Sequence, residues 1–313
     1  MEKIVDTRTI SHQDWLNYRK CGIGGSDAGA IAGLNPYSSR LCVYFDKIGE
    51  PTISEDTGTT ESMYWGNRLE QIIADEFSRR EGLEVEKCHY ILRSSEHPFM
   101  IANVDGLIVD SEEGLECKTT NAFNKDQWED DAIPEMCMAQ LQHYMAVTGY
   151  QGWWIAVLIG GNHFKYQYVE RDEDYIDNLI KLEADFWYNN VQPGIMPEVD
   201  GSSASSNLIK RMFPKAESTS VTLNGESNTI INKYLDYCQL ESEYSDLKED
   251  SVNKLKMMLG DNEKGATDNY IVNWKNVNSN RFNSTAFKKD NPELFKQYSK
   301  PSSYRRFSIK SLA

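Results

Sequence analysis

No run of eighteen or more apolar residues occurs in the 313-residue chain, so no segment is long enough to cross a bilayer as a helix. The opening Met1-Glu2-Lys3-Ile4-Val5-Asp6 also lacks the apolar stretch of a secretory signal, and a soluble, cytoplasmic protein with no membrane partner is expected. Six cysteines, at positions 21, 42, 88, 117, 137 and 238, include no Cys-x-x-Cys pair, which gives no ground for a zinc site or a disulfide framework. Positive charge is scarce as well: 33 Lys and Arg face 48 Asp and Glu, a net charge of −15. Such a balance weighs against binding a polyanion, because neutralisation of phosphates by Lys and Arg normally supplies most of that affinity. The scarcity is uneven, however. Residues 262–313 hold seven Lys and three Arg against two Asp and two Glu, a balance of +6 that leaves −21 on the remainder. An acidic body can still meet a polyanion through a local basic channel, with metal ions offsetting carboxylates where they cluster.

What is there centres on residues 101–119. Two strand-like runs flank the turn cluster Asp110-Ser111-Glu112-Glu113-Gly114, the pattern of a β-hairpin. Asp105 falls on the first predicted strand. On the second, Leu115 and Cys117 alternate with Glu116 and Lys118, so the two charged side chains share a face. Two carboxylates with an ammonium beside them form a hard-oxygen site suited to Mg²⁺ or Mn²⁺. Such a site can polarise a phosphate while the lysine orients or deprotonates a water. Taken alone, Glu116, Cys117 and Lys118 read more readily as the solvated face of a half-buried strand.

Around this hairpin the periodicity predicts helices and further strands. Ser11 to Asp14 form a capping box that opens a helix through Arg19. Cys21 to Asp27 is glycine-rich and leads into an alanine-rich helical run to about Ala32. Ser26 or Asp27 can cap that run, whose free N–H groups would attract an anion, and a plain tight turn fits the glycines as well. Asn35-Pro36-Tyr37 is a turn; Arg40 to Ile48 and Met63 to Arg80 read as helices, the second with Leu69, Ile72, Ile73 and Phe77 as its apolar stripe and Glu70 beside it. Residues 50–60 are polar and read as a loop. Strands are expected over 84–93 and 99–109, with His97 as a turn residue between them. Pro134 opens a helix that runs to Thr148 and stops at Gly149, with Gln140 and Tyr144 projecting together. Gly152 to Ile159 and Phe164 to Val169 are strands, and Asp172 to Asn189 a closing helix. The order implies an α/β fold, a mixed sheet flanked by helices.

Gln192 to Asn207 is rich in Pro, Gly and Ser and reads as linker. Residues 226–259 are helical by pattern, and strands are expected at Asn269 to Lys275 and Tyr304 to Ile309. In this tail Lys275, Arg281, Lys288, Lys289, Arg305 and Arg306 interleave with aromatics, which fits either a nucleic-acid surface or the solvated basic face of a small domain. The expected division is 1–195, a linker over 196–225, and a C-terminal region over 226–313 comprising a long helix and a basic β-containing tail.

Asp105 followed by Glu116-Cys117-Lys118 resembles the PD-(D/E)XK nuclease superfamily, and more closely the YqaJ-type viral recombinase family that includes phage λ-type alkaline exonucleases. The resemblance covers residues 11 to about 195. It takes in Arg19 and Ser26 at a seven-residue spacing, Asn35-Pro36-Tyr37, Gly66-Asn67-Arg68-Leu69-Glu70, and Met138-Ala139-Gln140-Leu141-Gln142 with Tyr144 after it. Val104 stands where the superfamily name has proline, a change that leaves the carboxylate in place. Scattered cysteines set the chain apart from the iron–sulfur nucleases of that superfamily. The resemblance implies a restriction-endonuclease-like core and a DNA exonuclease requiring Mg²⁺ or Mn²⁺, with one or two ions held by Asp105, Glu116, Glu70 and the backbone carbonyl of Cys117. Lys118 would orient or activate the water, Gln140 would place it, Tyr144 would support Gln140, and Arg19 with Ser26 would hold a DNA phosphate. It further implies attack on double-stranded ends from the 5′ side to leave 3′ single strands. A ring-shaped homo-oligomer such as a trimer, a phage-encoded single-strand annealing partner, and the host cytoplasm as location complete the expectation. Two alternatives stay open: an endonuclease of the same superfamily, and a non-catalytic acidic interaction protein. Carboxylates crowded without a metal weigh against the latter.

Overall fold

The computed structural model describes residues 1–49 and 60–311, which form two compact units, Met1–Phe213 and Pro214–Ala313. The loop expected over 50–60 lies outside the described residues apart from Thr60. The first unit opens with β1 (Glu2–Asp6), α1 (His12–Lys20), α2 (Gly25–Ile31) and α3 (Arg40–Ile48), and α4 (Glu61–Glu81) follows. Each start has a local cause. Ser11 accepts a hydrogen bond from the Asp14 amide, Ser39 from Cys42 and Thr60 from Met63, satisfying N–H groups that a helix leaves free.

The next stretch departs from expectation. In place of two long strands the chain makes four short ones: β2 (Val85–Lys87), β3 (Tyr90–Arg93), β4 (Ile101–Ala102) and β5 (Gly106–Ile108). β3 and β4 join β1 in a three-stranded sheet, whereas β2 and β5 belong to a five-stranded sheet. The chain therefore changes sheet twice, at Cys88-His89 and again at Asn103-Val104-Asp105. Asp105 lies in that second crossing, not on a strand. Hydrophobicity alone hides the switch, because both sheets are apolar. The expected hairpin is present between β5 and β6 (Glu113–Thr120), with Gly106 opposite Leu115 and Leu107 opposite Gly114.

After β6 come α5 (Glu135–Thr148), β7 (Gly152–Ile159), β8 (His163–Glu170) and α6 (Glu173–Phe186), which runs on as a π-helical turn over Trp187–Val191. The large sheet has the order β2-β5-β6-β7-β8. β6 and β7 pair in parallel and the other neighbours are antiparallel, so α5 is the crossover that a parallel pair requires. The mixed sheet flanked by helices is thus as expected. Alternate residues of β7 feed opposite faces: Trp153, Ile155, Val157 and Ile159 join the core with Leu141 and Met145 of α5, while Ala156 joins Ile73 and Phe77 of α4. With both faces covered, the strand reads as an unbroken apolar run.

Within the span expected to be linker, α7 (Ser203–Met212) is a helix. Its Leu208 is fully buried in the main core and its Ser205 hydroxyl donates to Ser39 Oγ at 2.9 Å, so the first unit extends to Phe213. A single buried leucine on a serine-rich helix is a weak signal in composition. The second unit begins its regular structure with α8 (Glu226–Leu259), the predicted long helix, followed by a hairpin of β9 (Lys264–Ala266) and β10 (Ile271–Asn273). Two helices not anticipated, α9 (Ser284–Asp290) and α10 (Pro292–Tyr298), follow, and among the described residues no strand forms over 304–309, where one was expected.

Candidate active site

Glu116 and Lys118 project from β6 toward α5, and there Glu116 is 4% exposed, so the solvated-face reading of this strand does not hold. Gln140, also buried, lies between the two charges. Its amide nitrogen donates to Glu116 Oε1 at 2.8 Å and to the Tyr144 hydroxyl at 2.7 Å, and its oxygen accepts from Lys118 Nζ at 2.9 Å. Lys118 Nζ also contacts Glu116 Oε1 at 2.5 Å. Tyr144 in turn donates to the Asn103 carbonyl at 3.0 Å. Both amide donors of Gln140 are used and its oxygen accepts from Lys118, so the residue holds its neighbours in place. Burial opposes the charge on Lys118, but Glu116 beside it outweighs that penalty and raises the amine well above its ordinary range.

Asp105 stands beside the hairpin, its Oδ2 accepting from the Cys117 amide at 2.8 Å. Burial, then the charges of Glu116 and Glu70, push its carboxyl well above the usual carboxylate range. Glu70, projecting from α4, lines a small cleft with Asp105, Val85 and Lys87. Its Oε1 is 2.7 Å from Lys87 Nζ, a partner that the sequence reading missed. Lys87 carries no motif, and only the β2–β5 pairing brings it near.

Arg19 and Ser26 also meet: the guanidinium donates to the Ser26 hydroxyl at 3.4 Å and lies 4.9 Å from the centroid of the Trp15 ring. Trp15 Nε1 donates to Asn103 Oδ1 at 3.2 Å, so Asn103 links this corner to Tyr144 and the carboxylates. α2 packs directly on Tyr144. A Cβ on Gly25 would stand 2.5 Å from the ring, which requires glycine at this close approach. Beneath the corner, Lys47 has a fully buried side chain whose Nζ is 2.6 Å from Asp27 Oδ2 and donates to the Arg19 carbonyl at 2.9 Å. Asp27 also accepts from the Gly24 amide at 2.9 Å. Asn103 and Lys47 were not anticipated, having no recurrent spacing to betray them. All nine expected site positions thus fall into two groups joined through Asn103: Asp105, Glu116, Cys117, Lys118, Gln140, Tyr144 and Glu70 in one, Arg19 and Ser26 in the other.

The donor set fits a hard divalent cation. Glu116 Oε2 is buried without a hydrogen-bond partner, an orphan that a cation would satisfy, and Asp105 is crowded by two further carboxylates. Among the described residues, no group of three or more His, Cys, Asp and Glu side chains already converges as a metal shell. Glu70 is turned onto Lys87.

Fold and site together define an α/β protein whose acidic cluster, with Lys118 and Gln140, is built around the central strand of a mixed sheet. A model of the YqaJ-like viral recombinase domain matches residues 14–151. The chain is 38% identical over 315 residues to "Uncharacterized protein YqaJ" of Bacillus subtilis (strain 168), covering 100% of this chain and 98% of the relative. The chain belongs to the YqaJ-like viral recombinase family. Among solved structures, an alkaline exonuclease (LHK-Exo) from Laribacter hongkongensis gives a TM-score of 0.49 at 17% identity, covering 58% of this chain and 94% of the other. A phage-related exonuclease from Haemophilus somnus 129PT gives 0.42 at 14% identity, covering 63% and 99%.

Proposed function

We propose that the chain is a metal-dependent deoxyribonuclease that digests linear double-stranded DNA from its ends. The observation that carries this reading is Glu116, held on one oxygen by Lys118 and Gln140 while the other oxygen is buried and unpartnered next to Asp105. Asp105, Glu116 and the Cys117 carbonyl would hold Mg²⁺ or Mn²⁺, with Glu70 beside them. Bound there, the cation would polarise a phosphate and lower the pKa of a water.

The remaining chemistry belongs to the chain. Lys118, kept protonated by Glu116, orients the attacking water or donates toward charge developing on the phosphate oxygens. Gln140 fixes Lys118 against Glu116, and the Tyr144 hydroxyl fixes Gln140. Arg19 and Ser26 hold a phosphate at the end of the duplex. A cavity of about 1210 Å³ opens on Lys118, with Met63, Trp65, Thr120 and Asn124 among its lining residues, and offers the strand a path. Digestion from the 5′ end, a ring-shaped homo-oligomer and a single-strand annealing partner belong to the same proposal and rest on family resemblance.

The test incubates the purified chain with 5′-phosphorylated linear duplex and with closed circular duplex, each with and without Mg²⁺. Nucleotide release from the linear DNA alone, and only with Mg²⁺, is expected. Cutting of the circle would replace the exonuclease with an endonuclease, and no cutting of either would leave the binding-protein alternative.

A further inference from the structure

We propose that residues 269–310, in the second unit, form a binding site for single-stranded DNA that takes no catalytic part in digestion. The unit lies beyond residue 151, where the family domain ends, and the inference stands apart from the nuclease reading because its test needs neither cation nor cleavage. Its starting point is the sequence. Stretches 269–289 and 294–313 together contain nine Lys and Arg, eight aromatics and not one Asp or Glu, in a chain of net charge −15. Among the described residues of this unit only Leu259 is buried, so most of these rings serve no core. Tyr270, Phe282, Tyr298 and Tyr304 are between 71% and 82% exposed, and Trp274 is 49% exposed.

The backbone sets rings and charges side by side. Pairing of β9 with β10 continues past both strand ends: the Tyr270 carbonyl accepts from the Thr267 amide at 2.8 Å, and the Trp274 amide donates to the Glu263 carbonyl at 2.9 Å. Four residues apart on an extended chain, Tyr270 and Trp274 share a face of the hairpin. On α9, Lys288 Nζ lies 5.2 Å from the centroid of the Phe295 ring of α10. The ion pairs of this unit, Lys254 with Asp250 and Lys256 with Glu249, lie on α8, and among the described residues none joins Lys275, Arg281, Lys288, Lys289, Lys296 or Lys300 to a carboxylate. Charge of this sign fits any polyanion, duplex included. The rings decide between them, because a single strand offers free base faces to stack on, whereas a duplex keeps its bases stacked on one another. A merely solvated basic face has no use for exposed rings, and an apolar protein interface is depleted in lysine.

The experiment measures fluorescence anisotropy of a labelled thymidine oligonucleotide of about 20 nucleotides, and of a duplex of the same length, with the full chain in EDTA over a salt series. Tyr270→Ala combined with Trp274→Ala should weaken single-strand binding at least about tenfold and leave duplex binding within about twofold. Lys288→Ala combined with Lys289→Ala should lower the slope of log affinity against log salt by about 1.4 for the single strand. All four side chains are exposed, and circular dichroism of each variant checks that the helices are retained. Single-strand affinities of the parent and the ring variant within about twofold of each other would overturn the inference, whatever the lysine variant does. An equal loss on single strand and duplex from removing the rings would overturn it too, since free base faces could not be the cause. No binding of the single strand by the parent would also overturn it, leaving the rings to a protein partner.

Discussion

Asp105 carries an electrostatic cost that the fold accepts. Burial and two neighbouring carboxylates raise its carboxyl well above the ordinary value, so in the interval between those values the folded chain binds a proton that the unfolded chain releases. Stability from this group is therefore present at low pH and lost as pH rises through the raised value. In EDTA near pH 8, Asp105→Asn should raise the melting temperature by about 2–4 °C, because the amide keeps an acceptor for the Cys117 amide and sheds the charge. A melting temperature equal to or below the parent's would refute that assignment. Tyr144→Phe should keep the ring against Gly25 and lose both hydroxyl hydrogen bonds, freeing Gln140. Digestion should then fall about ten- to a hundredfold, mainly in kcat, with KM for DNA little changed; an unchanged kcat would show that Gln140 needs no support. At this scale the charged residues of the site were legible because they recur as motifs. Lys87, Asn103 and Lys47 were not, since each acts through a contact made by distant backbone.

Among the elements, α1, α2 and α3 meet at one buried amine. Lys47 on α3 ties the Asp27 carboxylate of α2 to the last turn of α1 at the Arg19 carbonyl. Burial works against the Asp27 charge, yet Lys47, and then Arg19, hold its carboxyl below the usual range. Breaking a buried pair by removing one partner leaves a charge with no counter-ion. Lys47→Met should cost about 3–5 kcal/mol in a denaturant titration, and adding Asp27→Asn should restore most of it. A loss below about 1 kcal/mol, the scale of an exposed pair, would mean that the pair is solvated. Helices were largely legible because caps and periodicity are local: Ser11 and Gly149 mark ends that the structure retains. The two sheet crossings at residues 88–89 and 103–105 were not legible, because pairing between β1 and β3 is set by residues some ninety positions apart. α7 was hidden by a serine-rich sequence with one deeply buried leucine.

For the whole molecule, the awkward fact is a net charge of −15 on a chain proposed to handle DNA. The +6 balance of residues 262–313 eases part of that conflict, since local charge governs contact. The fold class was readable from element order, and the family from five separated motifs, while the number of sheets required coordinates. The proposal as a whole is tested most directly by nucleotide release from 5′-phosphorylated linear duplex in Mg²⁺, compared between the parent and Lys118→Ala, with folding of the variant checked by its melting curve. Removal of this one amine should lower the rate at least about a thousandfold in a folded protein. Digestion by folded Lys118→Ala at the parent's rate would contradict the assignment of this cluster as a nuclease centre.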